Sequence, residues 1–277
     1  MKAIIVGTDF SKGSYVAIEI AIDIANKLRT DVKIVWVERE KMLIDEEQQG
    51  IMHNLAQDKL QMLCEQHQEK LLHGKVKWEI VHGKVSTALS TAAAQAASPM
   101  IVIGTNGASG FEKYWMGSTA VRIVQESRCP VLTIREGFNF HKSLERIVMP
   151  IRVNSNSREK VPPAASMAKI FDSEVHILGL IDTPADSQSL RVYMQQTSDF
   201  LTKEGIRHTS TVKKYSNYSD TVLRYADEVN ADLVVINTEQ DRIIAQMFLG
   251  TNAQQIVHKS QIPVLCIHPQ DIINVAR

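Results

Sequence analysis

Ser127-Arg128-Cys129-Pro130-Val131-Leu132-Thr133-Ile134 recurs further along the chain as Ser260-Gln261-Ile262-Pro263-Val264-Leu265-Cys266-Ile267. Outward from this pair, Ile101-Val102-Ile103-Gly104-Thr105 answers to Val234-Val235-Ile236-Asn237-Thr238 at the same offset, and Gly117-Ser118 answers to Gly250-Thr251. The opening run Ala3-Ile4-Ile5-Val6 matches Arg146-Ile147-Val148-Met149 at a longer offset, so the second copy is shorter between its first and fourth strands. Self-similarity of this kind marks a duplicated structural unit. It divides the chain into two homologous halves, residues 1–136 and 145–277. Arg135–Leu144, with Gly137, Phe138 and Phe140, is the linking stretch.

Each half alternates strand and helix patterns. In the first, Ala3–Thr8 is a short apolar run suited to a strand covered on both faces. Ser14–Leu28 puts Ile18, Ala21, Ile22 and Ala25 on one helical face and Glu19, Asp23, Asn26 and Lys27 elsewhere. Strands follow at Val32–Val37, Val76–Val81, Met100–Gly104 and Pro130–Ile134. Between them the pattern predicts helices from about Asp45 to Leu72, at Ser86–Ala97 and at Ser118–Glu126. The second half predicts strands at Arg146–Met149, Val175–Gly179, His208–Lys213, Leu233–Ile236 and Val264–His268. Its helices fall at Arg158–Phe171, Ser187–Lys203, Asp220–Val229 and Thr251–Lys259. Alternating β and α elements imply an α/β fold, a parallel sheet with right-handed crossovers and helices on both faces.

Composition narrows the function classes. The 277 residues carry 31 Lys+Arg and 31 Asp+Glu, so the formal net charge is zero. No basic stripe marks a nucleic-acid binder and no polybasic run addresses anionic membrane. No apolar run reaches the roughly 18 residues of a membrane helix, and the start of the chain lacks signal-peptide anatomy. Cys64, Cys129 and Cys266 are too scattered for a disulfide framework, and a cytoplasmic protein is the expectation. His67 and His73 are expected at the surface of the long helix, and Met52 and Met62 within its packed side. HExxH, CxxC, Walker A and Gly-x-Ser-x-Gly patterns are all missing, so no catalytic or metal-ligating residue is assigned.

In a doubly wound sheet, ligands bind beyond the carboxyl ends of the strands where the strand order reverses. With the first and fourth strands flanking that point, Thr8 and Asp9 meet the stretch Gly104-Thr105-Asn106-Gly107-Ala108-Ser109-Gly110. After Phe111–Met116 comes Gly117-Ser118-Thr119, which opens a helix. A glycine-rich loop leading into a helix N-terminus suits phosphate, because free N–H groups and the positive dipole end face the anion. The plainer alternative is a turn followed by an ordinary N-cap, with Asp9 capping the helix after it. Lys113 has the choice of a phosphate or solvent, and Trp115 and Met116 are read as anchors of the loop.

The spacing Gly104-x2-Gly107-x9-Gly117-Ser118 resembles the nucleotide motif of the ATP-binding branch of the universal stress protein (UspA) family. Ile5-Val6-Gly7-Thr8-Asp9-x-Ser11, Val81-His82-Gly83 and Cys129-Pro130-Val131-Leu132 fit the same family, and the likeness spans both halves. The resemblance implies two doubly wound, five-stranded, parallel-sheet domains in tandem, Rossmann-like and similar to the adenine nucleotide alpha hydrolases. It implies an ATP site in which Asp9 and the backbone of Val37 face the base. Gly104, Gly107, Gly117 and Ser118 would then wrap ribose and phosphates, with Thr8, Ile103 and Thr119 as neighbours. Mg or Mn would ride on the phosphates rather than in a protein cage.

The second half departs from the pattern. Asp9 aligns with Arg152, Gly83 with Ser216, Gly104 with Asn237 and Gly107 with Gln240, while Gly250-Thr251 keeps its place. ATP is therefore expected in the first domain alone, in a nucleotide-responsive stress regulator that acts on a protein partner. The alternatives are a slow ATP hydrolase and a nucleotide-free interaction module. Edge pairing of Val131–Ile134 with Val264–Ile267 would make the halves an internal pseudo-dimer, and a homodimer is a further expectation.

Overall fold

A computed structural model describes residues 2–38, 46–105, 117–138, 144–154, 156–238 and 251–268. The chain divides into two compact units, Met1–Gly137 and Phe138–Arg277. The first contains β1 (Ala3–Thr8), α1 (Lys12–Leu28), β2 (Asp31–Glu38), α2 (Glu46–Gln68), β3 (Val76–His82) and α3 (Val85–Gln95). It continues with β4 (Ile101–Gly104), α4 (Ser118–Glu126) and β5 (Val131–Ile134). Its strands are parallel in the order β3-β2-β1-β4-β5, so the winding reverses between β1 and β4.

The strands of this sheet's centre are buried because helices cover both faces. Ile4, Ile5 and Val6 of β1 and Ile101 and Val102 of β4 are fully enclosed. Against them α1 packs Ala17, Ile18, Ile20, Ala21, Ile22, Ile24 and Ala25, all buried. Each enclosed isoleucine contributes about 1.5–3 kcal/mol relative to exposure. Ser11 caps α1, its side chain accepting from the Ser14 N–H, and Arg29 ends it in the left-handed region at φ 52.

Helix α2 corrects two sequence expectations. Its buried stripe is Ala56, Leu60, Leu63, Cys64 and His67, whereas Met52 and Met62 are 51% and 67% exposed. At 100° per residue Met62 points away from that stripe, together with Ile51 and Leu55. His67 is enclosed rather than superficial, because its Nδ1 reaches the Leu63 carbonyl at 2.8 Å, one turn back, and so satisfies the ring inside the core.

The second unit repeats the plan with β6 (Arg146–Ile151), α5 (Val161–Phe171), β7 (Glu174–Ile181), α6 (Ser187–Lys203) and β8 (His208–Lys214). It ends with α7 (Tyr218–Glu228), β9 (Leu233–Asn237), α8 (Thr251–Lys259) and β10 (Val264–Ile267). Its parallel order is β8-β7-β6-β9-β10. Helix α5 ends like α1, in a left-handed residue, Asp172, but has 11 residues against 17. The loss is all at the start: Arg158, Glu159 and Lys160 are in turns, not in the helix expected there. Pro162 and Pro163 occupy its first turn, where their missing N–H groups cost no helix bond.

Candidate functional site

The carboxyl ends of β2, β1 and β4 place the expected residues side by side. Thr8 pairs with Trp36 and Gly7 with Ile103, so continuing these registers one step past Thr8 and two past Gly7 puts Asp9 between Val37 and Thr105. Gly117 joins this group through its N–H, which donates to the Thr105 carbonyl at 3.0 Å and brings the start of α4 to the end of β4. Asp9, Val37, Gly104, Gly117, Ser118 and Thr119 thus share one edge of the sheet at the reversal point. Gly107, Gly110, Lys113, Trp115 and Met116 lie outside the described residues, as do Asp45, Phe140, Gln240 and Gly250.

Short hydrogen bonds hold the turn after β1. Thr8 is buried, and its hydroxyl lies 3.0 Å from the Ser14 hydroxyl, which itself donates to the Ser11 carbonyl at 2.9 Å. The Thr8 oxygen also accepts the Phe10 N–H at 3.1 Å. Asp9 is exposed and accepts the Ser11 N–H at 3.0 Å; the cap of α1 is Ser11, not Asp9. Phe10 is held at φ 61, an uncommon conformation for a bulky side chain. Its ring sits 6.2 Å from that of Trp36 and under the Lys59 ammonium, 5.2 Å from the centroid. The sequence reading missed Phe10, Trp36 and Lys59. Lys59 is on α2, and only the tertiary fold brings it to the end of β1.

The two described glycines of the motif have different physical reasons. A Cβ built on Gly104 would stand 2.8 Å from the Gly13 carbonyl carbon and 2.9 Å from the Ser14 nitrogen. Gly104 therefore lets the first turn of α1 rest on the end of β4. At Gly117 a Cβ would meet only the Thr105 carbonyl oxygen, at 3.7 Å, and φ is −58, open to any residue. Nothing in the described residues requires glycine at 117. It caps α4 without a side-chain bond, followed by exposed Ser118 and half-buried Thr119. Ile103 is buried in β4 and Val37 in β2.

Beside Val37, the enclosed carboxylate of Glu38 receives two imidazoles on one oxygen, His53 Nδ1 at 3.1 Å and His82 Nδ1 at 3.3 Å. Their rings stack at 6.4 Å. Across α3 and α4, Ser86 donates to Glu126 at 2.7 Å and Lys84 pairs with the same carboxylate. Burial pushes the Glu126 carboxyl up, but the hydrogen bonds from Lys84 and Ser86 and the Lys84 charge outweigh it and hold it below its ordinary value.

The corresponding edge of the second unit is built differently. Asn237, in the place of Gly104, donates through Nδ2 to the Asn156 carbonyl. Arg152, in the place of Asp9, puts its guanidinium over the Tyr218 ring at 4.9 Å, and its backbone N–H donates to Ser157 Oγ at 2.9 Å. Burial pushes the Tyr218 hydroxyl up to about 12, against the pull of Arg152.

Among the described residues no helix is long and apolar enough to cross a membrane, and no group of three or more His, Cys, Asp or Glu is placed to hold a metal ion.

Comparison with known proteins agrees with this architecture. The universal stress protein family matches residues 1–135 and 144–268. A universal stress protein of Methanocaldococcus jannaschii is 26% identical over 149 residues, 48% of this chain and 86% of the relative. The universal stress protein YxiE of Bacillus subtilis is 26% identical over 143 residues, 47% of this chain and 97% of the relative. Among solved structures, a universal stress protein from Archaeoglobus fulgidus superposes with a TM-score of 0.79 at 18% identity, covering 96% of this chain and 98% of that one. The repeat, the reversal of strand order within each unit and the two family matches agree: this chain belongs to the universal stress protein family and carries two of its domains in tandem.

Proposed function

We propose that the first domain binds an adenine nucleotide, ATP, and that the protein acts as a nucleotide-responsive regulator on a protein partner. The observation that carries this reading is Gly117. Its freedom from a side chain serves no described protein contact, yet it stands at the start of α4 beside the end of β4, where a phosphate would meet the positive end of the helix dipole. Asp9 and the Val37 backbone would hold the base. Gly104, Gly107, Gly117 and Ser118 would hold ribose and phosphates, with Thr8, Ile103 and Thr119 next to them. The exposed Asp9 and Ser118 and the φ of Phe10 fit such a ligand, since strained backbone concentrates at binding sites. Bound Mg or Mn would be carried by the phosphates and neutralise their charge. Contact between the phosphates and the stretch joining β4 to α4 would supply the differential contact that shifts the surface shown to a partner.

In the second domain the Asn237 side chain and the shortened α5 replace this arrangement, so the reading assigns it no ATP. The test is the nucleotide released on denaturing freshly purified protein, identified by chromatography and counted per chain. One ATP per chain is expected. Two would overturn the assignment to the first domain alone. None, with no uptake of added ATP, would overturn the reading and favour a nucleotide-free interaction module.

A further inference from the structure

Lys160 is only 2% exposed, and its ammonium makes one hydrogen bond, donating to the Ser157 carbonyl at 2.6 Å. No carboxylate lies within ion-pairing distance of it among the described residues. The nearby charge that acts on it most strongly is another cation, Arg152, with Glu159 opposing more weakly. Burial together with Arg152 pushes the Lys160 amine down to about 7. An enclosed ammonium beside a guanidinium is costly unless a counter-charge completes it.

A second, independent observation comes from Asn237. Its Nδ2 is spent on the Asn156 carbonyl, leaving its buried Oδ1 with no donor. Both side chains fasten to neighbouring carbonyls of one turn, Asn156 and Ser157, and the Ser157 Oγ also takes the backbone N–H of Arg152. Lys160, the Arg152 charge that acts on it and the unsatisfied Asn237 Oδ1 thus surround this turn at the carboxyl ends of β6 and β9, which also carries the buried Glu159 Oε2 without a donor. Helix α5 adds little there, since Pro162 and Pro163 lack N–H groups and the Val161 N–H is taken by the Arg158 carbonyl at 3.0 Å. The positive charge of this edge comes from side chains.

We propose that the second domain has an anion site of its own, in which Lys160 and Arg152 receive a phosphate group and Asn237 Oδ1 accepts from its P–OH. Hydrogen phosphate combines anionic oxygens with one hydroxyl donor, which matches two cationic donors and one acceptor. The site is independent of any nucleotide in the first domain.

The probe is inorganic phosphate added to the full chain labelled with 13C at the lysine ε-carbons, with chloride at matched ionic strength as control. The resonance absent from Lys160→Met identifies Lys160. Phosphate is expected to shift that resonance saturably, and Arg152→Gln to weaken the effect about tenfold, as loss of a charged hydrogen bond does. A resonance unmoved by phosphate, or moved equally by chloride, overturns the proposal. Should Lys160→Met fail to fold, Lys160→Arg identifies the resonance instead, and the same two outcomes decide.

Discussion

The α-carbon of Gly104 faces the backbone of Gly13 so closely that a Cβ at 104 would stand 2.8 Å from the Gly13 carbonyl carbon. One glycine at the end of β4 therefore sets where α1 begins. In the second unit Asn237 holds the equivalent place, and its side chain binds the Asn156 carbonyl where helix backbone would otherwise lie. The residues that follow are turns, and α5 starts late.

Gly104→Ala and Gly117→Val should separate stability from binding. Overpacking against α1 should cost Gly104→Ala about 1–3 kcal/mol, read by urea unfolding. Gly117→Val should cost about 0.5–2 kcal/mol, the loss of a good helix cap, because a Cβ there meets nothing nearer than the Thr105 carbonyl oxygen at 3.7 Å. The same variant should lose nucleotide affinity by about tenfold or more, since its side chain would enter the space assigned to phosphate. Retained affinity in Gly117→Val would remove that glycine from the site.

Replacing the enclosed ammonium should stabilise the protein. The amine of Lys160 sits near 7 in the fold and at its ordinary 10.5 when unfolded, so the unfolded chain binds the extra proton between these values. Stability linked to this group therefore rises with pH from about 7 to 10.5, and its penalty is complete below 7. In phosphate-free buffer, Lys160→Met should gain about 1–4 kcal/mol at pH 6 and progressively less toward pH 10. Thermal unfolding across that range checks the slope; a gain independent of pH would contradict it.

Asp31 should support the first domain at neutral pH. It is 6% exposed, accepts the Lys75 N–H at 2.9 Å and pairs with Lys77 at 2.8 Å. Burial pushes its carboxyl up, but the Lys77 and Lys75 hydrogen bonds and the Lys77 charge prevail and hold it below its ordinary value. Its contribution is present above the unfolded carboxylate range and is lost as the pH falls through the lowered folded value. Asp31→Asn should cost about 1–3 kcal/mol at pH 7 and little in strong acid, measured by denaturant titration at both.

The three thiols should differ in reactivity. Burial pushes Cys64 up to about 11 and Cys266 higher, and both are enclosed, while Cys129 is half-buried. Iodoacetamide at pH 8 should modify Cys129 first, with Cys64 and Cys266 labelled only after unfolding, as mass spectrometry of peptides would show.

Much of the fold was legible in the sequence because its signals are local and repeated. Apolar runs such as Ile101–Gly104 and Val131–Ile134 mark strands covered on both faces, and the pairing of β1 with both β2 and β4 places the reversal where the order of elements implied it. Less legible were properties that depend on a neighbour distant in sequence. His67 is inside because its own helix supplies an acceptor at Leu63, and Met62 is outside because the sheet lies on the other face of α2. The cluster of Phe10, Trp36 and Lys59 has no linear signature. Gly104 looked like a phosphate glycine, yet its described contact is with Gly13, which no motif reveals.

The shortened α5 limits what one substitution can do. Restoring glycine at 237 would clear the side chain from the end of β9, but it would not return the missing helix turns. Extended upstream, α5 would enclose Pro162 and Pro163, each without an N–H and crowding the carbonyl four residues before it, at about 3 kcal/mol or more apiece. A glycine at 237 alone would therefore not give the second domain the first domain's architecture. The two halves thus share a strand order but offer unlike scaffolds at the same sheet edge, and exchanging single residues between them would not make them equivalent.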